Sequence, residues 1–271
     1  MPVNDQLGKR MKEFYENISK IKLMRRMPVI IRIDGKAFHT FTKGFKRPFD
    51  ELLIKTMQET TKYLCENIQG CVLGYTQSDE ISLVLIDYKK LNSSAWFDNE
   101  IQKICSISAS MTTMKFNQIF SDKVTDAYNE MDYVKNKNYL ETIDRACLKG
   151  AMFDARAFNI PKEEVTNYIY WRQLDAIRNS IQMVGQANFS YKELQNKSCN
   201  DIKDMLLTQK GIDWNDFPTY QKRGSCIIKE EYEFKSDVTN EIITRNRWII
   251  DKDIPIFKDE GRNYIEKLIM V

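Results

Sequence analysis

The chain has 271 residues, 42% hydrophobic and 29% charged, and its 41 basic and 38 acidic side chains leave a net charge of +3. This length can bury a sizeable core in one large domain or two small ones, while the near balance of charge excludes a histone-like or ribosomal protein. No apolar run approaches the roughly 20 residues of a membrane span and the N-terminus lacks a secretory apolar segment, so a cytoplasmic protein without membrane association is expected. Six cysteines with no CxxC pair, and one histidine, form neither a zinc pattern nor a dense disulfide framework; reduced, mostly buried thiols are expected.

In chain order, Leu7, Met11, Phe14, Ile18 and Ile21 fall on one helical stripe, which predicts a packed amphipathic helix over residues 7–21. Pro28 follows it, and residues 29–33 predict a strand apolar enough to be buried on both faces, breaking off at Asp34-Gly35. Asp50 is placed to N-cap a helix over residues 51–68 that carries Leu53, Met57, Leu64 and Ile68 inward and stops at Gly70. Residues 71–86 predict a β-hairpin whose bend carries Asp79 and Glu80. A second helix is predicted over residues 99–120, with Ile101, Ile104, Ser108 and Met111 inward. Residues 121–145 are polar and weakly periodic with no clear strand, and residues 148–160 alternate like one. The order is β-α-β-β-α-β, that of a ferredoxin-like α+β fold with helices on one sheet face. Beyond Pro161 come a helix over residues 162–184, a Gln/Asn/Lys-rich segment with a short helix at 198–210, and a loop at 214–220. A closing hairpin has arms at 225–234 and 242–250 and its turn at 237–240.

An Asp-Gly step at a strand end is ordinary turn chemistry. Here the topology sets the first strand beside the hairpin, which would bring Asp34, Asp79 and Glu80 to one sheet edge. Hard oxygen ligands suit Mg²⁺, whose other positions are filled by water and substrate phosphates. Lys43, Lys46 and Arg47 lie close in sequence to that edge, where phosphate would sit, whereas Lys20, Lys22, Arg25 and Arg26 suit a solvated surface. His39, alone on an apolar stretch, fits a structural role slightly better than catalysis. Arg172 and Asp175, three apart on one helix face, suit a surface ion pair or a grip on phosphate or base. Lys222-Arg223 beside Tyr220 is a basic turn compatible with RNA backbone contact.

Taken together, RIDGKAFHTF (32–41), GYTQSDEISLV (74–84), Trp96-Phe97 with Lys103, FDARAFNIP (153–161), YWRQLDAIRNS (170–180) and TYQKRGSCII (219–228) resemble the tRNA-histidine guanylyltransferase family. The likeness is greatest to its guanylyltransferase-like branch of 3′-to-5′ RNA polymerases. The resemblance implies a polymerase-palm-like catalytic domain over residues 1–160 and a fingers-like helical and hairpin region over 161–271 that contacts tRNA. It further implies two Mg²⁺ ions, ATP and GTP or other nucleoside triphosphates as substrates, and a homotetramer. In that chemistry ATP adenylylates the RNA 5′-monophosphate, and the 3′-hydroxyl of an incoming nucleotide then displaces AMP.

By the family pattern Asp34, Asp79 and the Gly35 carbonyl hold metal, with Glu80 supporting. Arg32, Lys36, Ala37, Phe38, His39, Arg47, Ser78 and Lys103 contact nucleotide, His39 and Lys103 serving the activation step. Arg172, Asn179, Lys222 and Arg223 are the expected RNA contacts. One departure matters: the tRNA-histidine enzymes carry a His-Ile-Asn-Asn-Leu-Tyr-Asn run after WRQ-x-D, and its histidine position is Ile177 here. That favours template-directed repair of 5′-truncated tRNA over obligatory guanosine addition to tRNA-His, the alternative. A nucleotide cyclase and a non-catalytic RNA-binding module are more remote readings. The module would place exposed aromatics on the central strands, which here carry Val, Ile and Leu.

Overall fold

The computed structural model describes residues 5–235 and 242–270; the hairpin turn expected at 237–240 lies outside them. The helices are α1 (Gln6–Met11), α2 (Phe38–Phe41), α3 (Glu51–Asn67), α4 (Ile101–Glu130), α5 (Tyr133–Lys149), α6 (Lys162–Asn188), α7 (Tyr191–Leu194), α8 (Cys199–Met205), α9 (Thr219–Arg223) and α10 (Asn263–Ile269). The strands are β1 (Val29–Gly35), β2 (Cys71–Gln77), β3 (Glu80–Leu85), β4 (Phe153–Asn159), β5 (Ser225–Lys235) and β6 (Ile242–Asp251). All pair antiparallel in one sheet of order β4-β1-β3-β2-β5-β6.

The first four strands thus follow the expected β-α-β-β-α-β order, with α4 and α5 together forming the second crossover. The helices of that unit lie on one sheet face as expected, and helices beyond it cover the other. On one face Val29, Ile31, Ile33 and Leu83 pack with Met57 and Leu64 of α3, Phe116 and Phe120 of α4, and Leu140 and Ile143 of α5. On the other, Ile30, Leu73, Tyr75 and Val84 pack with Val165 and Ile169 of α6 and with Ile265 and Ile269 of α10. The apolar residues of β1 alternate between these two cores, which is why the strand reads as a nearly continuous hydrophobic run. A third cluster joins the C-terminal half of α6, through Ile181 and Val184, to Phe189, Ile202 and Leu206. Gly185 permits that contact, since a Cβ there would come within 2.8 Å of the Ile202 side chain.

Two other expectations change. Residues 121–145 continue α4 and begin α5, where Val124, Ala127, Leu140 and Ile143 are buried. Polar residues on the outer faces of two successive helices mask the apolar spacing of each. As a result residues 148–149 close α5 rather than open the strand, and β4 begins at Phe153. At the N-terminus the continuous packed helix becomes α1, a π-helical turn and a 3₁₀ turn, and its stripe lies uncovered: Leu7, Phe14, Ile18 and Ile21 are more than half exposed.

The segment between β1 and α3 is built as an alternation. Phe38, Phe41 and Phe45 point into the core and pack against Phe116, Phe120 and Phe153 with ring centroids 5.0–6.0 Å apart. His39, Lys43, Lys46 and Arg47 fall between them and remain exposed. Phe41, touching four other rings, should lose about 3–5 kcal/mol on truncation to alanine, read as a lowered urea midpoint. Phe14→Ser, on the uncovered stripe, should move the stability of the single chain by less than about 0.5 kcal/mol.

Candidate active site

The end of β1 and the β2–β3 turn meet where Asp34 lies opposite Glu80 and the Gly35 amide donates to the Asp79 carbonyl at 3.2 Å. Gly35 has no alternative here, because a Cβ would overlap the Phe38 ring at 2.1 Å. Ser78 occupies left-handed backbone at φ 51° and its hydroxyl donates to Asp79 Oδ1 at 3.0 Å. Burial pushes the Asp79 carboxyl above the ordinary range, and the negative charges of Asp34 and Glu80 push the same way.

Asp34 and Asp79 form one wall of a cleft of about 640 Å³. Facing them are Ala37, Phe38, His39, Lys43, Lys46 and Arg47 from the phenylalanine-anchored segment, with Met183 and Gln186 of α6 closing the side. His39 is an exposed lining residue rather than a buried structural one. A narrow crevice of about 80 Å³ continues from the cleft past Ser78 and Met183 to Asn179, Tyr220 and Gln221.

Asp50 holds the cationic segment in place. Its carboxylate accepts from the amides of Leu52 and Leu53 as the N-cap of α3, from the Lys46 amide at 3.0 Å, and from the Tyr139 hydroxyl of α5 at 3.0 Å. Burial, reinforced by that carboxylate, raises the Tyr139 hydroxyl far above its usual range, so it remains a donor. Lys46 Nζ in turn lies 4.2 Å from the Tyr139 ring centroid.

Several expected site residues stand elsewhere. Glu80 does not join the other carboxylates in the cleft: it is 4% exposed, and Arg172 Nε and Nη2 donate to it at 2.6 and 2.7 Å while Arg32 Nη2 donates at 2.7 Å. The cleft therefore offers Asp34, which lies 3.8 Å from Arg32 Nη2, and Asp79, without Glu80, and among the described residues no group of three His, Cys, Asp or Glu side chains is placed to hold a metal ion. Asp34, Asp79 and a backbone carbonyl still make an all-oxygen donor set of the kind Mg²⁺ takes while keeping waters and substrate phosphates. A cation there would offset the like charges that raise Asp79.

Arg172, expected on the surface as an RNA contact, is itself 4% exposed and also donates to Asp175 at 2.9 Å. A buried carboxylate needs charged partners, and Arg172 is committed to that task. Arg32 serves the same carboxylate and does not line the cleft, and Lys36 projects to solvent from a backbone fixed on the Met152 carbonyl. Lys103 is on the first turn of α4, near the Val29–Asn159 end of the sheet, where Asn99 and Asn159 bond Met24. Lys103 is not among the described residues that line the cleft. Lys222 and Arg223 are half-buried and bond the carbonyls of Asn215 and Ile254, so neither is a free basic surface.

Two carboxylates at a sheet edge, opposed by cations on a rigid segment across a cleft of this volume, make it the candidate site for phosphoryl chemistry on a nucleotide. Comparison with known proteins shows the family. The family described as Thg1, tRNAHis guanylyltransferase, matches residues 8–161. A bacterial tRNA(His) guanylyltransferase (Thg1)-like protein solved in complex with ATP superposes with a TM-score of 0.79 at 46% identity, covering 97% of this chain and 98% of that one. Its counterpart in complex with GTP gives 0.77 at 43% identity, covering 98% and 100%. The tRNA(His) guanylyltransferase of Schizosaccharomyces pombe is 28% identical over 80% of this chain and 78% of its own. The chain belongs to the tRNAHis guanylyltransferase (Thg1) family and is a nucleotidyltransferase with that family's mixed α/β, antiparallel-sheet fold.

Sequence reasoning passed over Asp50 as more than a helix cap, and passed over Met183 and Gln186. Their signal was the 4-3-4 spacing of Asp175, Asn179, Gln182 and Gln186, a polar stripe on one face of α6. Removing one partner of the buried pair by Arg172→Met should cost about 3–5 kcal/mol. Adding Glu80→Leu should restore much of that loss, and guanidinium unfolding of the single and double variants measures both.

Proposed function

We propose that this chain transfers a nucleotidyl unit to the 5′ end of tRNA. Guanylyl transfer, the activity in the names of its relatives, has the stronger support from the comparisons. The observation that carries the reading is the cleft, where Asp34 and Asp79 face Lys43, Lys46 and Arg47. Asp34, Asp79 and the Gly35 carbonyl are the groups that would hold two Mg²⁺ ions, whose chemistry is to stabilise the attacking and leaving oxygens at phosphorus. Lys43, Lys46 and Arg47 neutralise the triphosphate and hold it across from the carboxylates. The RNA 5′-phosphate attacks the α-phosphorus of ATP and expels pyrophosphate. The 3′-hydroxyl of the incoming nucleotide then attacks the RNA 5′-phosphorus and expels AMP. His39, exposed on the cleft wall, is placed to donate a hydrogen bond to the activating nucleotide.

Template-directed repair of 5′-truncated tRNA is a second reading, favoured by one observation. Ile177, at the position of the histidine in the tRNA-histidine enzymes, is partly buried against the Ile181, Val184 and Phe189 cluster, so this face of α6 offers apolar packing in place of a polar contact. The uncovered stripe of Leu7, Phe14, Ile18 and Ile21 supports an interface with another chain, and the homotetramer that the family resemblance implies would supply one.

Asp79→Ala should reduce nucleotide addition to background while leaving the unfolding transition intact; turnover at the wild-type rate would remove the metal site. A truncated, 5′-monophosphorylated tRNA, with A, C, G or U in turn opposite the vacant position, decides between the readings when supplied with ATP, Mg²⁺ and labelled nucleotides. Guanylyl transfer gives G throughout, and repair gives the complementary nucleotide each time.

A further inference from the structure

Next to the cleft is a groove of about 500 Å³ that the chemistry above leaves unused. Arg47 and Gln186 line both spaces, so the groove opens directly onto the place where phosphate would be held. Its floor is α6, where Gln182 and Gln186 stand one turn apart, and its far wall carries Tyr191 and Lys197. Among the described residues no acidic side chain lines it.

Tyr191 is 84% exposed. A large aromatic surface left in water invites an explanation, and the backbone beneath it is fixed. Ser190 and Glu193 form a reciprocal capping box, the Ser190 amide donating to Glu193 Oε2 at 2.7 Å. The turn that carries Tyr191 is therefore fixed at the groove wall. Around it are amides, each with a donor and an acceptor, and two cations. A flat π-face meets a ring, amides meet base edges of either polarity, and cations meet phosphate.

We propose that this groove holds an unpaired RNA nucleotide adjoining the reacting 5′ end, its base stacked on Tyr191 and its phosphate between Arg47 and Lys197. The inference rests on the RNA-end reading of the cleft. A space of this size falls in the range of single-ligand pockets, roughly 300–1,000 Å³, and excludes a duplex. Stacking and bidirectional amides tolerate any base, so the groove captures unpaired RNA without selecting sequence.

The test uses the full chain and a short single-stranded RNA carrying 5′-terminal 2-aminopurine, whose fluorescence is quenched on stacking, with ATP binding measured separately. Tyr191→Ala should abolish the quench and weaken RNA binding roughly ten-fold, within the span of alanine substitutions at stacking positions. Tyr191→Phe, which keeps the ring, should bind within about two-fold of wild type, and ATP affinity should be the same in all three proteins. Undiminished RNA binding by Tyr191→Ala, with wild-type nucleotide addition intact, overturns this inference and leaves the RNA-end reading standing. A loss confined to ATP assigns the groove to a free nucleotide and overturns it too. No RNA binding and no addition by the wild type defeats the RNA-end reading itself.

Discussion

The structure depends on one buried charge. Glu80 opens β3 at the sheet end where catalysis is expected, yet its carboxylate faces α6 and is sealed from water. An isolated carboxylate in such a place would be strongly disfavoured. Arg172 supplies two hydrogen bonds and Arg32 a third, so the charge is compensated by β1 and α6 together. A guanidinium fork binds a carboxylate in one plane and register. The pair thereby sets how far along the sheet, and at what rotation, α6 docks. Asp175 extends the network to Arg178 and Asn179, carrying it to the mouth of the crevice.

With its register set, α6 becomes the common wall of three spaces: Asn179 and Met183 reach the crevice, Met183 and Gln186 the cleft, and Gln182 and Gln186 the groove. The segment facing the carboxylates is positioned independently, by the six-ring phenylalanine cluster and by Asp50. The cleft thus lies between the carboxylate edge and that segment, with α6 closing the side, and segment and helix are separately anchored. Each is rigid for its own reason, one ionic and one aromatic, which is how a site open to solvent keeps its shape.

The framework was legible where local chemistry and position agree. The apolar run of β1, the Asp-Gly break and the hairpin bend each follow from strand and turn preferences, and together they placed Asp34 beside Asp79. The direction of Glu80 was hidden, because its partner Arg172 is 92 residues away and no local pattern announces a buried pair. Lys103 was placed by family motif alone, and a motif carries no information on which end of a 30-residue helix lies at the cleft of the same chain. The N-terminal stripe was legible as amphipathic, but periodicity says only that a face is apolar, not that anything in the same chain covers it. Residues 121–145 failed because the polar faces of α4 and α5 outnumber their buried positions. The second face of the sheet was missed because α6 and α10 lie beyond the βαββαβ unit.

The alternation between Phe38 and Arg47 has an evolutionary consequence. Its rings carry stability and its cations turn charge to the cleft, with Phe38 and Phe45 also lining that cleft and Lys46 also lying over the Tyr139 ring. Exposed Lys43 and Arg47 can therefore drift to other side chains with little risk to folding, while any change at Phe38, Phe41 or Phe45 is penalised at once. A segment divided in this way can change the charge it turns to the cleft by single steps, each tolerated by the fold. The scaffold resists mutation, and the charge on its surface is free to vary.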